Sequence, residues 1–122
     1  MARVLVVEDD PDVRELVRRY LRRDGHEVMA VGGGQAALAA IGQHGMPELA
    51  VLDVAMPGMD GFELLRRLRL QQPRLDVLFL TALWMPTDLD RIRRSGASHL
   101  AKPFTVAGLG HAMRLLESGA EA

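Results

Sequence analysis

Five times along the 122-residue chain a short, unbroken apolar run gives way to a longer amphipathic stretch, and this alternation leaves few folds open. Val4-Leu5-Val6-Val7 shows no polar/apolar alternation, as expected of a strand buried on both faces. Asp10 then caps a helix, Pro11 takes its first position, and Leu16, Val17, Tyr20 and Leu21 form its apolar stripe. Gly25 stops that helix. Val28–Val31 reads as a second strand, followed by Gly32-Gly33-Gly34 and a helix to about His44. Leu49–Leu52 is a third strand ending at Asp53. Beyond the Met56-Pro57-Gly58 turn, Phe62, Leu64, Leu65, Leu68 and Leu70 belong to a third helix that closes before Pro73. Val77–Leu80 is a fourth strand ending at Thr81. A fourth helix spans Thr87 to Ser95, with Arg91, Arg93 and Arg94 leaving it a thin apolar face. Ser98–Ala101 is a short fifth strand. Thr105 caps a last helix carrying Val106, Leu109, Met113, Leu115 and Leu116, weakened by Gly108 and Gly110.

Successive β-α units call for a parallel, doubly wound sheet with helices on both faces, joined by right-handed crossovers. The length suits one domain, and 48% apolar residues supply its core. A net charge of −1 gives no sign of a basic nucleic-acid-coating protein or an acidic tail. With no cysteine, disulfides, thiolate metal sites and cysteine nucleophiles are excluded. No apolar run reaches the roughly 18 residues of a membrane span, and the early acidic turn at Glu8 argues against a signal peptide. The expectation is a cytoplasmic protein without membrane contact. Fourteen residues are Arg and one, Lys102, is Lys. Where a compact ammonium replaces a planar fork, a site that will not accept the fork is one explanation.

In open parallel sheets the ligand site lies at the carboxyl ends of the strands. There the sequence places Glu8, Asp9 and Asp10 after the first strand, Asp53 at the end of the third, Thr81 at the fourth and Lys102 after the fifth. If the first and third strands are neighbours, several carboxylates crowd one pocket, and like charges that close need a compensating cation. Oxygen-only ligands with room for water favour Mg²⁺. A hydroxyl and an ammonium on the other flank complement a phosphoryl group. Asp53, the central carboxylate, is the candidate nucleophile for phosphoryl transfer.

The chain resembles, over essentially its whole length, the receiver domain of bacterial two-component response regulators, of the chemotaxis-regulator kind. The matching pieces are Val4 to Asp10, Leu52-Asp53, Met56-Pro57-Gly58-Met59-Asp60-Gly61, Leu80-Thr81-Ala82, Gly96-Ala97 and Lys102-Pro103-Phe104. The resemblance implies a flavodoxin-like (βα)5 fold with strand order 2-1-3-4-5, and a single receiver domain over residues 1–122 without an effector domain. It implies that Asp53 accepts a phosphoryl group from a histidine kinase, a phosphotransfer protein or a small phosphodonor. Asp9, Asp53 and the backbone carbonyl of Ala55 would hold Mg²⁺, with Glu8 acting through water. Lys102 would pair with one phosphate oxygen and Thr81 with another, the peptide before Pro103 being often cis. Such a domain is a signalling phosphoacceptor rather than an enzyme. Its output is a shift in the face made by the fourth helix, fifth strand and fifth helix, which meets a downstream effector or a second copy and does not itself bind nucleic acid.

Departures from that pattern are informative. Counting back three residues from Lys102 gives His99, where the family's switch is usually Tyr or Phe. The stretch from Gly96 to Lys102 is one residue short, so Leu100 aligns there in an alternative. Ala55 and Leu83 stand two beyond Asp53 and Thr81, where polar residues tune hydrolysis, which predicts a long-lived phosphoryl-aspartate. Two other readings compete: a receiver-like interaction module that works without phosphorylation, and a small Mg²⁺-dependent aspartyl phosphohydrolase. The latter normally carries a second acid where this chain has Ala55. The glycine triplet lacks the spacing and lysine of a P-loop and reads as a turn. Arg18, Arg19, Arg22 and Arg23 form a basic edge, with Glu15 set to pair with Arg19. Trp84-Met85-Pro86 offers an aromatic close to Thr81. Met56 and Met59 are expected to fill the core beneath the acidic loop. His26, His44 and His111 stand singly and suggest no metal site.

Overall fold

In the computed structural model, which describes residues 2–82 and 86–118, the apolar runs become β1 (Arg3–Val7), β2 (Glu27–Val31), β3 (Leu49–Asp53), β4 (Asp76–Thr81) and β5 (Ser98–Ala101). Between and after them lie α1 (Pro11–Arg23), α2 (Gly34–His44), α3 (Gly61–Gln71), α4 (Pro86–Ser95) and α5 (Val106–Glu117). All strand pairs are parallel, in the order β2-β1-β3-β4-β5. The chain therefore reverses its direction of strand addition between β1 and β3, and the crevice at their carboxyl ends is where such sheets hold ligands.

Successive residues of a strand face opposite sides, so each central strand feeds two cores. Leu5, Val7, Ala50, Leu52, Val77 and Phe79 pack with Ala37, Ile41, Leu64, Leu68 and Ile92 under α2, α3 and α4. Val4, Val6, Leu49, Val51, Leu78 and Leu80 pack with Val17, Leu21, Leu109, Met113 and Leu116 under α1 and α5. At roughly 25 cal/mol per Å² of apolar surface, these two layers are the main stabilising term. Met56 and Met59 join the first layer, as expected beneath the acidic loop.

Local chemistry sets the helix starts. Asp10 accepts from the Asp12 and Val13 amides, Asp60 from Glu63 and Thr105 from Gly108, each satisfying amides that have no partner inside the helix. α4 begins at Pro86, one residue before its expected start, and buries only Ile92, consistent with its arginine-rich sequence. Glu15 pairs with Arg18 at 2.6 Å and not with the expected Arg19; both lie on Glu15's side of α1, and spacing alone does not choose between them. Trp84, Met85 and Leu83 lie outside the described residues. No described helix is long and apolar enough to cross a membrane.

Candidate functional site

The sheet delivers the acidic residues. β1 ends at Val7, but the Glu8 amide still bonds the Val31 carbonyl at 3.1 Å, so Glu8 leaves the sheet in strand-like register and its side chain is fully buried. β3 carries Asp53 to the same end of the sheet with only 4% exposure. Glu8, Asp9 and Asp53 each present a carboxylate oxygen within 4.8 Å of the others. From the opposite flank, the Lys102 amide bonds the Thr81 carbonyl at 2.8 Å, extending the β4–β5 ladder past Ala101. The Lys102 ammonium then reaches 2.8 Å from Glu8 and 3.3 Å from Asp53. The peptide from Lys102 to Pro103 is cis. Together with Asp10, Val54, Ala55, Ala82 and Asp88, these residues line a cleft of about 340 Å³.

One ammonium does not balance three carboxylates, and the groups respond accordingly. Burial, then hydrogen bonding to Glu8 and Asp9, pushes the Asp53 carboxyl up to about 7, against the pull of Lys102. Burial also works to raise Asp9, but hydrogen bonds with Asp53, Glu8 and its own backbone, aided by Lys102, hold it below the usual carboxylate range. Burial works to lower Lys102, and its bonds to Glu8 and attraction to Asp53 overcome that and raise it. Three carboxylates gathered around a single ammonium mark a site that a divalent cation fits. The all-oxygen donor set, open on one side, suits Mg²⁺.

Every residue expected here from the sequence is gathered, with Thr81 buried at the β4 end. His99 and Leu100 take opposite faces of β5. Leu100 packs on the α1/α5 layer, whereas His99, in register with Phe79, is exposed. Two contributors, Asp88 and Arg14, were not read from the sequence, and Gly61 was read only as part of a motif, without its role. Asp88 enters the cleft from the first turn of α4. Arg14 donates to the Glu8 carbonyl at 3.1 Å. Gly61 sits so tightly on the Asp53 carbonyl that a Cβ there would overlap it, while its amide bonds Val54 O at 2.9 Å. Helical spacing from Asp10 signals Arg14's direction, but not its target.

His26 is not the solitary side chain the sequence suggested. It is buried, with Nε2 lying 3.4 Å from Glu117 and 3.8 Å from Asp24. Its Nδ1 accepts the Ala2 amide at 3.1 Å, so the neutral ring carries its proton on Nε2, facing the two carboxylates. A metal ion there would displace that proton onto a nitrogen already facing a donor. The cluster is a structural knot between β1, the start of β2 and the end of α5.

The Response regulator receiver domain model matches residues 4–114. The chain belongs to the receiver domain family. The transcriptional regulatory protein TcrA of Mycobacterium tuberculosis is 43% identical over 115 residues, covering 93% of this receiver and 45% of TcrA. The receiver thus spans less than half the length of that relative. The chemotaxis response regulator CheY4 of Vibrio cholerae superposes with a TM-score of 0.85 at 32% identity, over 95% of this receiver and 98% of CheY4. NtrX of Brucella abortus gives 0.83 at 35% identity, over 96% of the receiver and 27% of NtrX.

Proposed function

We propose that Asp53 of this receiver accepts a phosphoryl group from the phosphohistidine of a sensor kinase or phosphotransfer protein. The observation that carries this reading is the burial of Asp53 among Glu8, Asp9 and Lys102 at the β1/β3 crevice. An ionised Asp53 Oδ attacks phosphorus; the P–N bond of the donor breaks, and its electron pair stays on the imidazole nitrogen, which takes up a proton. Asp9, Asp53 and the Ala55 carbonyl would hold Mg²⁺, with Glu8 reaching it through water. When bound, the ion neutralises charge on the transferring group and favours the ionised form of Asp53. Lys102 exchanges part of its contact with Glu8 and Asp53 for a phosphoryl oxygen, and the Thr81 hydroxyl meets another. Both groups already line the cleft around Asp53, so each has only a short way to turn, which lowers the cost of reorganising them.

The output follows from what changes when Lys102 and Thr81 turn toward phosphate. Both are wired to the sheet edge that carries β5, so the α4–β5–α5 face is where a partner would sense the change. That partner is a downstream effector protein or domain, or a second copy of the chain. His99, exposed on β5, is the residue of this face placed to contribute; Leu100 is committed to the core. The deciding test is intact mass after incubation with Mg²⁺ and a small acyl phosphate. One added phosphoryl group, absent from Asp53→Asn and blocked by a chelator, is expected. No adduct on a folded protein with excess donor would favour an interaction module that works without phosphorylation.

A further inference from the structure

Arg14 stands in the second turn of α1, and helical side chains lean back toward their helix's N-terminus. It therefore lies over the loop that carries the acids, where Nη1 donates to the Glu8 carbonyl at 3.1 Å. Among the described residues its guanidinium meets no carboxylate at ion-pairing distance, despite the acidic groups nearby. The Glu8 amide is already fixed to the Val31 carbonyl. Both backbone polar groups of Glu8 are thus occupied.

That oxygen belongs to the peptide joining Glu8 to Asp9, and the peptide is planar. Fixing it sets the direction in which Asp9 leaves the loop. This matters for Asp9 in particular, because it is exposed, so burial does not fix its direction. Gly32 completes the arrangement: a Cβ there would fall 2.8 Å from Arg14 Nη1. Neither Gly32 nor its neighbours Gly33 and Gly34 has a left-handed φ, so the run is no anion-binding nest. At Gly32 the missing side chain gives the guanidinium its seat.

We propose that Arg14 is a positioning residue for the cation site: it holds the Glu8–Asp9 peptide so that Asp9 reaches the ion, and Gly32 keeps it seated. The proposal rests on the phosphoacceptor reading above. It makes a prediction of unusual sign. A cation that acted only through its charge would repel Mg²⁺, and its removal would tighten binding. A cation that positions a ligand weakens binding when lost, and changes to groups that orient metal ligands typically cost about 10- to 100-fold in affinity.

The test is calorimetric titration of the folded chain with Mg²⁺ for the parent, Arg14→Met, Arg14→Lys and Gly32→Ala, beside metal-free melting curves. Arg14→Met and Gly32→Ala are expected to weaken Mg²⁺ binding about tenfold with little change in metal-free melting. Arg14→Lys, which keeps a donor, should stay near the parent. Raising Mg²⁺ should restore phosphorylation by the acyl phosphate in the weakened variants. Unchanged or tighter binding in Arg14→Met overturns the proposal, and Gly32→Ala carries the test should Arg14→Met fail to fold. A parent that binds no Mg²⁺ instead overturns the reading beneath it, before any variant is compared.

Discussion

Lys102 Nζ stands 2.8 Å from the fully buried Glu8 carboxylate and 3.3 Å from Asp53, so its nearer partner is not the proposed phosphoacceptor. Glu8 needs the ammonium because it has no solvent; Lys102 in turn is held ready beside Asp53. Removing one member of a buried pair strands the other's charge, at a cost of about 3 kcal/mol. Lys102→Met should therefore destabilise the protein by about that amount at pH 7. Adding Glu8→Gln in the Lys102→Met background should recover at least half of it. Urea unfolding of both single variants and the double variant measures the coupling, and strictly additive losses would count against the pairing.

Gly61 makes a second demand on the same site. A Cβ there would overlap the backbone carbonyl oxygen of Asp53, a group that has no side-chain freedom with which to yield. Gly61→Ala should cost about 2–3 kcal/mol by overpacking, although Ala favours the helix it begins. It should also slow Asp53 phosphorylation, because the strain is released into the β3–α3 loop. A variant as stable as the parent would show that the loop gives way freely.

These two sites show what a sequence can and cannot reveal. β1 to β5 were legible because strands buried on both faces have no reason to alternate, and the carboxyl ends then placed Glu8, Asp9, Asp53, Thr81 and Lys102 together. Pairings between remote segments were not legible. Nothing near Gly61 in the chain says that it will meet Asp53 O. Nothing near His26 announces Glu117, 91 positions away (117 minus 26). Glu15 had two arginines within helical reach, and spacing does not say that it pairs with Arg18.

The His26 knot leads to a prediction about the end of α5. His26→Ala removes a buried ring, the acceptor of the Ala2 amide and the group facing Glu117. The expected loss is about 2–3 kcal/mol from cavity and unmet hydrogen bonds together. Amide exchange near Glu117 should quicken more than exchange at the end of α3, which Arg69 ties to the Ser95 and Leu75 carbonyls. Uniform quickening at both places would mean only global destabilisation.

Ala55 lines the cleft with a methyl group where a polar side chain would orient water. The phosphorylated receiver should accordingly hold its phosphoryl group for minutes or longer. Ala55→Asn should speed its loss by about tenfold, less than a general base contributes because an amide orients water without taking its proton. Mass spectra taken after donor removal follow this directly; loss within seconds from the parent would contradict it.

The raised Asp53 carboxyl makes metal-free stability depend on pH, with a sign opposite to that of salt-bridged acids. Asp53 ionises near 3.8 when unfolded and at about 7 when folded. Between those values the folded state holds the extra proton, so stability falls as pH rises, by about 1.4 kcal/mol per pH unit at most. The group's unfavourable contribution is absent below pH 4 and complete above pH 7. Asp53→Asn lacks this titration. In chelator, the variant should gain on the parent from pH 4 to pH 7, to an advantage of about 2–4 kcal/mol, and then hold level. Urea midpoints at each pH give the slope, and any constant offset from the altered hydrogen bonds drops out of it. Mg²⁺ competes with the proton for the same carboxylate, so millimolar Mg²⁺ should close the gap at pH 8 and leave it unchanged at pH 4. An advantage that does not vary with pH would show that Asp53 is ionised throughout and that Lys102 alone balances the site.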